Sequence, residues 1–71
     1  MSAYLWSDLD MDGLQFCATR GTGELVAVHD HGNYAVLVTD NKTDSKVEHH
    51  ATAELARRAG EKYLQQKGIS P

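Results

Sequence analysis

The feature that most limits the fold of this chain is the short distance between its glycine-containing turns. Turns at Asp12-Gly13, residues 21–23 and His31-Gly32-Asn33 separate short runs in which apolar and polar residues largely alternate. Each of these turns is itself only two or three residues long. Turns this short can only join antiparallel neighbours, because parallel strands need a crossover of a dozen or more residues. Pro71 is the only proline, so no run is interrupted. The sequence therefore predicts an antiparallel β-meander.

The predicted strands share alternation and β-branched or aromatic residues. They cover residues 4–11, 14–19, 25–29 and 34–39, with 47–49 as a short extended segment. Asp12-Gly13 is a hairpin signal between the first two. On the strands, the residues expected in the core are Leu14, Phe16, Leu25, Ala27, Val36 and Val38.

A helix is predicted from about Thr52 to Lys67. Thr52 can cap it, and Lys67 followed by Gly68 can end it. An apolar stripe recurs every four residues at Leu55, Ala59 and Tyr63. A capping box at residues 45–48 allows an earlier start, but we prefer the later one. The predicted fold is α+β: a three- to four-stranded antiparallel meander followed by one C-terminal helix packed on one face.

Size and composition limit the function. With 71 residues, the sequence indicates a single domain, residues 1–71, whose core is too thin for a deep catalytic cleft. Cys17 is the only cysteine, no apolar run approaches the length of a membrane span, and no signal peptide is visible. We expect a cytoplasmic protein that does not bind to membranes. Since Cys17 lies between Phe16 and Ala18 in a predicted strand, we expect a buried, inert thiol. No catalytic residues, cofactor or enzymatic activity are predicted.

The net charge of −3 is unevenly spread. Residues 1–45 carry two basic and seven acidic side chains, whereas residues 52–67 carry four basic and two acidic ones. An acidic sheet repels a phosphate backbone, so we do not expect a nucleic-acid partner. If it occurred, it would use the basic residues of the C-terminal helix.

Residues 8–13 match the first half of a calcium-binding loop. Asp8, Asp10 and Asp12 alternate and are followed by Gly13. The twelfth position of such a loop falls on Thr19, where a bidentate glutamate is required. The sequence therefore favours an acidic strand edge that leads into a hairpin over a calcium site.

The histidines occur in two pairs, His29 with His31 and His49 with His50. Two histidines separated by one residue on an extended segment lie on the same side, which suits zinc, copper or nickel. His29, His31 and His49 are thus the alternative metal ligands. Because no second ligand motif accompanies them, we expect solvated histidines and no bound metal.

The function that best fits these patterns is a small non-enzymatic protein-interaction or regulatory module, with a phage-type inhibitor of a host protein as one possible form. The expected partner is another protein of unknown identity. The expected contact residues are Asp8, Asp10, Asp12, Arg57, Arg58 and Lys62. A homodimer through the less charged sheet edge, formed by residues 34–39 or the Val47 segment, or through the helix, is also predicted. The alternatives are a histidine-based metal-binding module and a nucleic-acid-binding domain.

Overall fold

The predicted order of strands and helix is confirmed in the computed structural model, which describes residues 4–8, 10–17, 19 and 23–70. Within these described residues, four strands precede one helix: β1 (Leu14–Phe16), β2 (Leu25–Asp30), β3 (Ala35–Asp40), β4 (Ser45–His50) and α1 (Ala53–Gln66). The strands form one antiparallel sheet in the order β1-β2-β3-β4. The helix packs on one face of this meander, as the sequence predicts.

Short turns fix the register of the central strands. Between β2 and β3, the amide of His31 donates to the carbonyl of Tyr34 (2.9 Å), and Gly32 takes a φ of +89°. Between β3 and β4, the amide of Asn41 donates to the carbonyl of Asp44 (2.9 Å). The Asn41 side chain also accepts from the amides of Thr43 and Asp44. Both connections are too tight for anything except antiparallel neighbours.

The strand predicted at residues 4–11 is wrong, because the described part of this segment forms no regular strand and pairs with β1 through the isolated bridge Trp6 to Cys17. The amide of Ser7 donates to the carbonyl of Phe16 (2.8 Å). Gly13 ends the turn with a φ of +79°, and a Cβ there would lie 2.7 Å from the carbonyl oxygen of Asp30. The predicted Asp-Gly turn is thus confirmed. Ala18 and, apart from Gly23, the turn predicted at residues 21–23 lie outside the described residues.

The later start of the helix is confirmed. The hydroxyl oxygen of Thr52 accepts from the amide of Leu55 (3.2 Å), which satisfies a donor of the first turn. The end is marked by Gly68, whose φ of +78° turns the chain away from the helix axis.

The predicted packing stripe of the helix is wrong. The stripe that faces the sheet is rotated about the helix axis from the predicted one. Ala56, Gly60 and Leu64 are buried, whereas Leu55 is 45% exposed. Ala59 and Tyr63 lie at the margin and are half-buried. The observed stripe contains small residues, and these allow the helix axis to come close to the sheet. A Cβ on Gly60 would lie 2.7 Å from Cγ1 of Val26.

The predicted core face of the sheet is also wrong. The helix covers Val26 and Val28 on β2 and Ala35 and Leu37 on β3, all at most 1% exposed. On β1 and β2, Phe16 and Leu25 belong to the other face and are 43% and 42% exposed. Leu14, Val36 and Val38 are half-buried there, and only Ala27 is buried as predicted. Because both faces of the central strands are apolar, alternation by itself does not show which one the helix covers.

Candidate functional site

The uncovered side of the sheet, here called the open face, carries a continuous apolar row. Phe16 on β1 is paired with Ala27 on β2, Ala27 with Val38 on β3, and Val38 with Val47 on β4. Side chains of directly opposed residues point to the same face. The row therefore crosses all four strands, and its outer members, Phe16 and Val47, are 43% and 57% exposed. No described part of the chain packs over it.

Four rings lie beside this row at the end of the open face nearest the β2–β3 turn. The ring centroids of His29 and His31 are 3.9 Å apart, those of His31 and Tyr34 are 4.7 Å apart, and those of Tyr34 and His49 are 5.8 Å apart. The last two pairs are stacked. We call this group the ring cluster. Together with the apolar row, it forms a surface of aromatic and apolar side chains, and aromatic side chains are enriched at binding hot spots.

The structure places His29 and His31 side by side but inserts Tyr34 between His31 and His49. Among the described residues, no group of three or more histidine, cysteine, aspartate or glutamate side chains is arranged to hold a metal ion. The ring stacking gives these histidines a role in packing. That the protein binds no metal stays a prediction, which elemental analysis of untagged protein can check.

The acidic stretch has a structural role within its turn. The carboxylate of Asp10 accepts from the amides of Asp12 (2.8 Å) and Leu14 (2.9 Å), which closes the turn before β1. Asp10, Asp12 and Asp30 line a shallow hollow of about 420 Å³ at this end of the sheet. Asp8, Asp10 and Asp12 are exposed, so these predicted contact residues lie at the rim of the sheet.

The predicted basic contact residues lie on the helix, on the opposite side of the sheet from the open face. Arg57 donates to the side-chain oxygen of Gln15 (2.8 Å) and is half-buried. Arg58 is paired with Glu54 (3.1 Å) one helical turn away. Lys62 is exposed beside a groove of about 470 Å³ between α1 and β4. The structure therefore does not bring the acidic and basic contact residues together.

Cys17 lies in the core between β1 and the helix. It is 5% exposed, and burial, followed by the charge of Glu61, raises the pKa of its thiol above the ordinary value. Both effects disfavour the thiolate, the form that acts as a nucleophile. This environment argues against catalysis by Cys17.

The outer edge of β4 differs from the opposite edge of the sheet. Residues 5–7 lie along the outside of β1 through the Trp6–Cys17 bridge. In the part of the chain that the structure describes, no strand follows β4, and residues 45–49 are exposed. The expectation that residues 34–39 form an edge is wrong, because they form β3 inside the sheet. The Val47 segment, the other predicted edge, is the observed one.

Sequence reasoning missed the open face as a candidate site. The signal was present, since Leu25–Val28 and Ala35–Val38 are apolar at successive positions. Such runs are typical of strands buried on both faces. Because the sequence predicts a single helix, which can cover only one face, the second apolar face could have been identified as unpartnered.

Comparisons with protein-family models, curated proteins and solved structures give no match to this chain. Among the described residues, the helix is too short and too polar to span a bilayer.

Proposed function

We propose that this protein is a non-enzymatic protein-interaction or regulatory module that docks its open face on an apolar patch of a partner protein, and that lysine and arginine side chains flank this patch. The carrying observation is the apolar row Phe16–Ala27–Val38–Val47, over which no described element packs. Its outer members, Phe16 and Val47, are 43% and 57% exposed, whereas Ala27 between them is buried. Inhibition of a host protein is one regulatory role that such docking allows.

The size of the open face supports a binding role. Four strands about 4.8 Å apart, with six residues rising about 3.3 Å each, span at most about 400 Å². The largest apolar patch on a typical soluble monomer measures about 300–600 Å² and is often functional. An apolar face that had no partner would instead favour aggregation.

The charge around the open face supports a basic partner rather than a nucleic acid. The strand residues that point to this face in the described chain include Asp40 but neither lysine nor arginine. Asp10, Asp12 and Asp30 lie at the end that carries the ring cluster. Carboxylates at a rim attract a basic surface and mainly raise the association rate. A phosphate backbone would be repelled by the same groups.

The first step of the test is to identify a partner with a photo-crosslinking amino acid in place of Phe16 or Val38. A matched probe at Arg58 reports on the helix side. We expect a protein from the lysate of the producing cells to crosslink from the two open-face positions and not from position 58. Mass spectrometry then identifies this protein, which is purified for binding measurements.

The second step measures the purified pair. Phe16→Thr keeps a strand-forming residue but removes the aromatic anchor, so we expect the Kd to rise about tenfold or more. Asp10→Lys with Asp12→Lys should slow association and flatten its salt dependence. Arg58→Glu should leave the Kd unchanged. Crosslinking only from position 58, or an unchanged Kd for Phe16→Thr, would overturn the proposal.

A further inference from the structure

We infer that two copies of this chain pair through the outer edges of β4, antiparallel about a two-fold axis at Val47, and form one eight-stranded sheet. The backbone of β4 supplies the first support. In an antiparallel pair, alternate residues direct both backbone groups toward the neighbouring strand. The hydrogen bond from the Asn41 amide to the Asp44 carbonyl fixes this alternation along β4. The backbone groups of Lys46, Glu48 and His50 therefore bond to β3.

It follows that the backbone groups of Val47 and His49 point outward from the sheet. Their N–H and C=O groups are available for another strand, whereas the amide of Ser45 already donates to the Asp44 carboxylate (2.9 Å). A two-fold axis at Val47 places Val47 opposite its own copy as a hydrogen-bonded pair. It also aligns the outward groups of His49 with those of Ser45 in the second copy.

The charges on β4 select this register. With the axis at Val47, Lys46 of each copy lies opposite Glu48 of the other, so the dimer contains two opposite-charge pairs. An axis at Lys46 would place two lysines face to face, and one at Glu48 would place two glutamates face to face. Charged residues often protect an edge strand from pairing. Here, opposite charges on either side of a central valine are self-complementary under a two-fold axis.

The apolar row provides the third support. In this register, Val47 meets Val47 of the second copy on the open face, and the row Phe16–Ala27–Val38–Val47 continues into its copy across eight strands. The combined open face doubles to about 800 Å², comparable to one partner's share of a standard protein interface. The dimer thus enlarges the docking surface, although the inference itself does not depend on the proposed function.

The opposite edge of the sheet explains why the assembly stops at two copies. The N-terminal segment lies along β1 and carries exposed carboxylates at Asp8 and Asp10. Since a two-fold interface uses the same surface on both copies, the β4 edges are fully occupied in the dimer. Growth into a longer sheet would require the acidic edge.

Charge exchange across β4 tests the inference with purified protein. Lys46→Glu gives a chain with two acidic residues beside Val47, and Glu48→Lys gives one with two basic residues. In sedimentation equilibrium we expect a wild-type dimer and about tenfold or greater weakening for each variant alone. An equimolar mixture of the two variants should recover a heterodimer, because every facing pair is again of opposite charge.

Arg58→Glu serves as the control, since it reverses a charge on the helix without changing β4. It should dimerise like the wild type. Circular dichroism of each variant confirms that the fold is kept. A wild-type chain that stays monomeric, or a variant mixture that does not recover dimers, would overturn the inference and show that these charges only protect the edge. Neither result affects the partner experiment, which is measured with a different protein.

Discussion

The two faces of the sheet are built from the same strands but differ in burial. On the covered face, Val26, Val28 and Leu37 are at most 1% exposed beneath the helix. On the open face, Phe16 and Val47 keep 43% and 57% of their surface accessible. The covered face therefore supplies most of the stability, whereas the open face retains apolar surface whose burial is still available for binding.

The helix covers one face because the shape of its buried stripe matches the side chains on that face of the sheet. Its buried stripe, Ala56, Gly60 and Leu64, places two small residues against the branched side chains of β2 and β3. Trp6 packs at the edge of this contact and donates its indole N–H to Glu61 (2.9 Å). Close approach increases dispersion contacts on that side.

The largest difference is expected between two leucines on the same helix. Leu64→Ala removes a fully buried side chain and should lower the free energy of unfolding by about 2–5 kcal/mol. Leu55→Ala should cost clearly less, because Leu55 is 45% exposed. Urea denaturation of both variants gives the comparison. Equal losses of stability would indicate that the helix packs through the predicted stripe of Leu55, Ala59 and Tyr63.

A valine-to-threonine change on each face comes next. At Val26, the hydroxyl would enter the core without an assured hydrogen-bond partner, and we expect a loss of about 1–3 kcal/mol. At Val47, the hydroxyl stays in contact with water, so a change within about 0.5 kcal/mol is expected. Thermal unfolding at micromolar concentration limits any contribution from dimers. A large loss at Val47 would mean that the open face is covered.

Gly60→Ala examines how closely the helix approaches the covered face. Alanine is favoured over glycine in a helix by about 1 kcal/mol, so a gain would be expected on an exposed helix surface. Here the new methyl group would lie 2.7 Å from Val26 and 3.1 Å from Leu37. We expect overpacking to exceed the gain and the net loss to be about 1 kcal/mol. Increased stability in urea would indicate a looser contact than described.

The smallest effect concerns alkaline pH. The hydroxyl of Tyr63 donates to the carboxylate of Glu24, and this hydrogen bond raises the pKa of Tyr63 above its usual value. A raised folded-state pKa means that the stability gain is complete below the ordinary tyrosine pKa and is lost as pH rises through the folded value. Tyr63→Phe should therefore show a shallower fall in unfolding midpoint above about pH 10.

Tyr34→Phe is the matched control for the alkaline measurement, because Tyr34 lies in the ring cluster on the open face. It should retain the wild-type dependence on pH. The same slope for Tyr63→Phe and the wild type would show that the bond to Glu24 contributes nothing to stability.

Local signals predicted the central strands, their turns and the helix, because the causes of these elements lie within a few residues. The strand predicted at residues 4–11 was wrong, since the described part of that segment makes only one isolated bridge. Thr52 caps α1 through its own side chain, and Gly13 and Gly32 occupy backbone conformations with positive φ. The candidate site was predicted only in part. The acidic rim and the Val47 edge were identified from charge and turn order, whereas the ring cluster depends on pairing between β2, β3 and β4.

The sequence by itself determined the antiparallel meander and the bounds of the helix, because turn length, capping and alternation are local properties. Only the tertiary structure decided which side of the sheet is covered. Both faces of β2 and β3 are apolar, so the pattern of apolar residues in the sequence does not show which face the helix buries. The decision depends on shape: Gly60 lets the helix approach Val26 and Leu37, and this leaves Phe16, Val38 and Val47 on the open face.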